Sequence, residues 1–259
     1  MINKGKVVII VATHKEYNFP NDDIYMPLHV GKYGKEDLGY VGDDTGDNIS
    51  TKNQNYCELT GMYWAYKNLN CDYIGLMHYR RYLKKDQKNN EDNLDKIVLN
   101  KEEILTLMEK YDVILPEKSG NVQKSVYEAY KKMHHIKDLD NVREIISNIY
   151  SDYLEAFDKV VNGNELCLCN MFIMSKENYD NYCEWLFNIL FNLEKITDIS
   201  NYSNYQKRIY GFIGERLFNV WLEKNKYLKK YYLPVHETEP LTRFEKYKVL
   251  IKNKFGIRS

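Results

Sequence analysis

Two hydrophobic rhythms alternate along this chain: short β-branched runs, and longer stretches whose apolar residues recur three and four apart. Val7 to Val11 is a continuous apolar run, expected of a first strand buried on both faces, and it ends at Ala12-Thr13-His14, where its carboxyl end opens into a loop. Residues 15 to 55 carry glycines, prolines and acids with little periodicity, including Gly42-Asp-Asp-Thr-Gly-Asp-Asn48, and predict one long binding or mobile loop. From Asn55 the period turns helical, with Tyr56, Leu59, Tyr63 and Tyr66 on one stripe and Asn55-x-x-Glu58 resembling a capping box. Tyr73 to Met77 predicts a second buried strand, followed by a charged, asparagine-rich loop through Asn93.

The same alternation continues. Asn100 is placed to cap a helix from Lys101 to Lys110, which leads into a third strand, Asp112-Val-Ile-Leu115, closed by Pro116. Residues 138 to 161 read as two packed helices with a break near Ser151, and Leu166 to Met174 as a fourth strand. Ser175 caps a helix through about Glu194, Ser203-x-x-Gln206 opens another through Trp221, and Tyr227 to Leu233 suits a last strand. The pattern predicts an α/β fold, a mostly parallel central sheet flanked by helices, in a single domain over residues 1–235. Residues 236–259 form a basic tail in which Arg243, Lys246, Lys248 and Lys252 alternate with Phe244, Tyr247, Leu250 and Ile251. Such an amphipathic helix suits anionic lipid and docking on its own domain equally well.

Composition changes this picture in three places. Lysine plus arginine and aspartate plus glutamate both number 37, so net charge gives no reason to expect nucleic acid, and any anion site must be local. The five cysteines are odd in number and form no C-x-x-C pair, which argues against a disulfide framework or zinc site and for a reducing compartment. No apolar run has the length of a signal peptide or of a membrane span, so a cytoplasmic location is expected.

Candidate chemistry follows from position. If the strand ending at Met77 continues extended, His78 and Arg80 share one face while Tyr79 and Arg81 take the other, which would gather donors for a diphosphate. Pairing of those residues with acids elsewhere fits the spacing as well. Asp43, Asp44 and Asp47 suit a hard cation, ribose hydroxyls or simple turn roles. Glu215, next to Arg216 in an apolar helix, fits a general base or a structural ion pair. His134 and His135 are adjacent, a poor spacing for zinc, and one of them suits contact with an acceptor. P-loop, dinucleotide and nucleophile-elbow motifs are missing, and Cys167 and Cys169, on one strand face, read as inert thiols.

Several segments in order resemble one family: Val11-Ala-Thr-His-Lys15, Asp43-Asp-Thr-Gly-Asp-Asn-Ile-Ser50, Asn55-Tyr-Cys-Glu-Leu-Thr60, His78-Tyr-Arg-Arg-Tyr82, His134-His135, Asn170-Met-Phe-Ile-Met174 and Gly214-Glu-Arg-Leu-Phe-Asn-Val-Trp221. The chain is similar to bacterial capsular and exopolysaccharide biosynthesis proteins, long catalogued as a domain of unknown function and grouped with glycosyltransferases, some resembling galactofuranosyltransferases. That resemblance implies a GT-A-like fold, a UDP-sugar donor and a saccharide acceptor, lipid-linked; the basic tail adds an expectation of peripheral contact at the inner face of the membrane. It also implies roles: Glu215 as base with His78 and Arg80 at the leaving group; Thr13, His14, Asp43, Asp44, Asp47, Asn48, Tyr56 and Arg81 at the nucleotide sugar; His134, His135, Asn170 and Arg216 at the sugars. His78-Tyr-Arg80 stands where such folds carry Asp-x-Asp, so no cofactor is expected and cations replace a metal; the acids at 43–47 keep manganese or magnesium open. A non-catalytic sugar- or nucleotide-binding component of a polysaccharide assembly complex is the alternative, and a metal-using nucleotide-sugar hydrolase or phosphotransferase the third reading.

Overall fold

The computed structural model describes residues 5–85, 93–120 and 124–240. Its strands are β1 (Val7–Thr13), β2 (Tyr25–His29), β3 (Val41–Gly42), β4 (Tyr73–His78), β5 (Arg81–Leu83), β6 (Val113–Pro116), β7 (Ser119–Gly120), β8 (Glu165–Leu166), β9 (Phe172–Ser175), β10 (Lys230–Leu233) and β11 (Val235–Glu237). Its α-helices are α1 (Asn53–Tyr56), α2 (Leu59–Asn68), α3 (Leu94–Ile97), α4 (Lys101–Met108), α5 (Val126–Met133), α6 (Ile136–Ile149), α7 (Leu154–Asn162), α8 (Lys176–Ile196) and α9 (Ile209–Lys224).

The main sheet runs β10-β6-β9-β4-β1-β2-β3, with β5 and β11 attached beside β4. Neighbours β4, β1, β2 and β3 are parallel, β10 is parallel to β6, and β9 alone on this path runs against both its neighbours. Side chains alternate between two buried faces. Ile10, Leu28, Leu76, Phe172 and Leu115 pack under α2, α6, α8 and α9, while Ile9, Val11, Met77, Ile173 and Ile114 meet Ile104 and Leu105 of α4. Burial on both sides is why β1 reads as an unbroken apolar run.

Predicted caps hold: Asn100 forms a capping box with Glu103, and the Ser175 hydroxyl accepts from the Asn178 amide. Four expectations change. The stretch 15–55 is not one loop, because β2 and β3 lie inside it; Pro27 hid β2, and is tolerated because β3 reaches only Leu28 and His29. The helix expected from Asn55 is broken at Cys57, whose φ is 54°, and the Glu58 side chain caps no helix end. His78 and Arg81 pair as the ends of a hairpin, so Tyr79 and Arg80 form its turn and the assumed alternation stops at His78. Leu166 to Met174 splits into β8 and β9, so Cys167 and Cys169 share no strand face; between the strands Cys169 and Asn170 have φ of 67° and 51°. At the carboxyl end β11 pairs with β5, and the predicted tail helix lies outside the described residues.

Candidate active site

Parallel strands finish on one edge of a sheet, and an antiparallel strand between them starts there. Thr13, His29 and His78 therefore end on the edge where Phe172 begins β9, and the turn carrying Cys169 and Asn170 crosses it. His78 approaches that turn directly: its Nε2 lies 2.6 Å from the Cys169 carbonyl oxygen. The Cys169 amide donates to Glu215 at 3.1 Å, and Arg216 donates to the other Glu215 oxygen at 2.9 Å. Arg216 also donates to the Phe212 carbonyl and lies over the Tyr130 ring. The Asn170 amide nitrogen donates to Glu58 at 2.7 Å, and Arg208 donates to the Cys57 sulfur at 3.2 Å.

This meeting of distant segments depends on small residues in α9. A Cβ on Gly211 would stand 3.1 Å from the Cys57 sulfur, and one on Gly214 would stand 2.8 Å from Leu59. Bare backbone there lets the α1–α2 corner close on α9 and bring Glu58 toward Glu215. Among the described residues the non-glycine positive-φ positions are Cys57, Cys169 and Asn170, all at this corner. Local conformational cost concentrated in one place marks a site held for its geometry.

Burial holds the Glu215 carboxyl above its usual range; Arg216 opposes this, Glu58 adds to it, and the Cys169 amide and His78 oppose it. Burial pushes the Cys57 and Cys169 thiols up to about 11, so neither is a ready thiolate. His134, Asn170 and Arg216 fall at or behind this centre. His134 is buried, bonded to Gln206 and packed on Phe212, whereas His135 stacks on Tyr202 at 4.0 Å.

A second group gathers at the ends of β1 and β4. His14 packs edge-on against Tyr79, with Lys15 and the Arg80 guanidinium over the same ring. Partial burial, then Arg80, Lys35 and Lys15, hold the His14 imidazole below its usual range. Both Lys15 and Arg80 face Glu239, and Arg81 faces Glu237. Thr13 bonds locally with Lys15.

The acids at 43–47 divide. Asp43 is fully buried and accepts from the Gly31 and Lys32 amides and the Ser50 and Thr60 hydroxyls. Asp47 is exposed and accepts from Tyr63, Asn48 closes its own turn, and Asp44 is half-buried beside Gly42. Tyr56 donates to Glu194 and stacks on Tyr210, inside the core. Among the described residues no three His, Cys, Asp or Glu side chains form a metal-ligand group.

Sequence reasoning missed Glu58, Cys57, Arg208 and His29. Glu58 was legible only as a helix signal, since its partner lies 112 residues away. His29, beside Thr13 on β2, is buried with neither ring nitrogen hydrogen-bonded among the described residues, and burial and Lys35 lower its pKa. A polar residue ending a strand on the ligand-binding edge was the signal available.

A mostly parallel sheet that crowds its polar side chains onto one edge, between helical layers, defines a GT-A-like α/β fold. The fold matches the apo structure of WbbM, a bifunctional glycosyltransferase, with a TM-score of 0.85 and 36% identity, covering 91% of this chain and 46% of that one. The chain belongs to the DUF4422 family, a domain of unknown function, whose pattern spans residues 8–226. It thus spans about half the length of WbbM. No curated protein matches it. Among the described residues no helix is long and apolar enough to cross a membrane.

Proposed function

We propose that this chain is a glycosyltransferase that moves a sugar, galactofuranose or another hexose, from a UDP-sugar to a hydroxyl of a growing, lipid-linked capsular or exopolysaccharide glycan. The observation that carries the reading is the convergence of Glu58, His78, Asn170 and Glu215 on the carboxyl edge of the parallel strands, in a chain 36% identical to a glycosyltransferase.

The reaction is a single displacement. The acceptor oxygen attacks the anomeric carbon, its proton passes to a carboxylate at the edge, and the bond to the UDP oxygen breaks with its electron pair leaving on the diphosphate. Lys15 and Arg80, with His14 and His78 beside them, supply donors and positive charge where that charge develops. Thr13, His14, Asp44 and Asn48 border the nucleoside, and Asp43 shapes their loop from beneath. A divalent metal is not required in this scheme, and the protein works on the cytoplasmic side, at the inner face of the membrane.

Incubation with a panel of UDP-hexoses and synthetic octyl glycoside acceptors tests this, read as acceptor-dependent UDP release and a new glycoside. UDP binding without release would establish the binding-component alternative. Transfer is expected to persist in EDTA; loss that manganese restores would remove the metal-free scheme.

A further inference from the structure

The two carboxylates at the centre differ in what they have left to give. Each Glu215 oxygen already holds a donor, the Cys169 amide on one and the Arg216 guanidinium on the other. Its side chain keeps 23% exposure behind that turn. Glu58 accepts from Asn170 through one oxygen, and its second oxygen has no donor among the described residues. The Glu58 side chain stands half-buried in the bend between α1 and α2, where the positive φ of Cys57 turns the chain.

Asn170 adds an independent observation. Its side chain is 1% exposed, and its amide nitrogen is committed to Glu58 because an ionised carboxylate only accepts. That leaves the Asn170 amide oxygen buried without a donor among the described residues. An orphaned acceptor of this kind asks for a hydroxyl or amide from a ligand. A sugar acceptor with neighbouring hydroxyls meets both demands, one hydroxyl donating to Asn170 and the next to the open oxygen of Glu58.

Resting on the glycosyltransferase reading, we infer that Glu58 is the catalytic base that receives the acceptor proton, that Asn170 holds an adjacent acceptor hydroxyl, and that Glu215 is a positioning residue for the Cys169–Asn170 turn. In the step, the proton of the attacking hydroxyl moves to Glu58, the new bond forms between that oxygen and the anomeric carbon, and the sugar-phosphate bond breaks onto UDP. The proton then leaves Glu58 to water, and no other reactant is needed.

The test compares Glu58→Gln, Glu215→Gln and Asn170→Ala with the wild-type chain, using the UDP-hexose and octyl glycoside that give transfer. Glutamine at 58 still accepts from Asn170, so folding and UDP affinity should hold while kcat falls by about 10²- to 10⁴-fold and the acid limb of the pH–rate profile disappears. Glu215→Gln should lower kcat less and keep that limb, and Asn170→Ala should raise the acceptor KM more than it lowers kcat. Wild-type turnover in Glu58→Gln, or loss of the acid limb in Glu215→Gln alone, would overturn the assignment and leave the glycosyltransferase reading intact. A wild-type chain that transfers no sugar from any donor sinks both.

Discussion

The carbonyl oxygen of Cys169 and Nε2 of His78 lie 2.6 Å apart, linking the end of β4 to the turn before β9. A carbonyl only accepts, so Nε2 donates to it, and Nδ1 is the nitrogen left for a ligand, to which it donates in the imidazolium form. Because the Cys169 backbone faces His78 through its carbonyl oxygen and Glu215 through its amide nitrogen, the acid and the histidine are anchored to the two sides of one residue. His78→Ala should leave the turn held by Glu215 yet reduce kcat by roughly 10²-fold, as loss of one donor at a developing anion does. Steady-state transfer beside a thermal melt separates that effect from unfolding, and an unchanged kcat would remove His78 from the chemistry.

Asp43 is a structural centre whose loss should be felt globally. Replacing it with alanine strands the buried Gly31 amide and Ser50 hydroxyl and the half-buried Lys32 amide, while the Thr60 hydroxyl can turn to the Cys57 carbonyl. Each such donor costs about 1–3 kcal/mol when unsatisfied, with water recovering part, so destabilisation on the order of 3 kcal/mol is expected. Urea unfolding measures it. Asp47→Ala, at an exposed position, should cost under about 0.5 kcal/mol.

Glu215 should make stability depend on pH in a direction opposite to most carboxylates. Its folded pKa is raised above the ordinary 4.5, burial being the largest cause, so folding favours the protonated form. That contribution is complete below the unfolded value and is lost as pH climbs through the raised folded value. Glutamine does not titrate. The melting temperature of Glu215→Gln minus that of wild type should therefore increase between about pH 4 and about pH 7; a difference that falls across this window contradicts the raised pKa.

Cys57 carries a backbone cost that glycine should relieve. With φ at 54° and ψ at −132°, it occupies a region that costs side-chain-bearing residues about 1–3 kcal/mol. Cys57→Gly keeps the bend and should match or exceed wild-type stability, the lost thiol contact with Arg208 offsetting part of the gain. Cys57→Val adds a β-branched side chain at the same φ and should lose about 2 kcal/mol or more. Equal chemical-denaturation midpoints for the two variants would show that the bend is unstrained.

The sequence by itself determined the elements whose cause is local. The β-branched run at Val7, the Asn100 and Ser175 caps and the apolar stripes of α6 and α8 each answer to neighbours within a turn or two, and burial alone writes their period. It also made Glu215 and His78 visible as polar residues where an apolar helix and a strand should bury or end, and marked Asn170 through the family resemblance. Only the tertiary structure decided how those residues meet. The choice of Asn170 over a helix end as partner for Glu58, the inward turn of Asp43, and the closing of α9 on Cys57 each depend on groups far apart in the chain. A hydrogen bond is settled by which buried donor and acceptor come within reach, and one-dimensional periodicity records burial without recording that meeting.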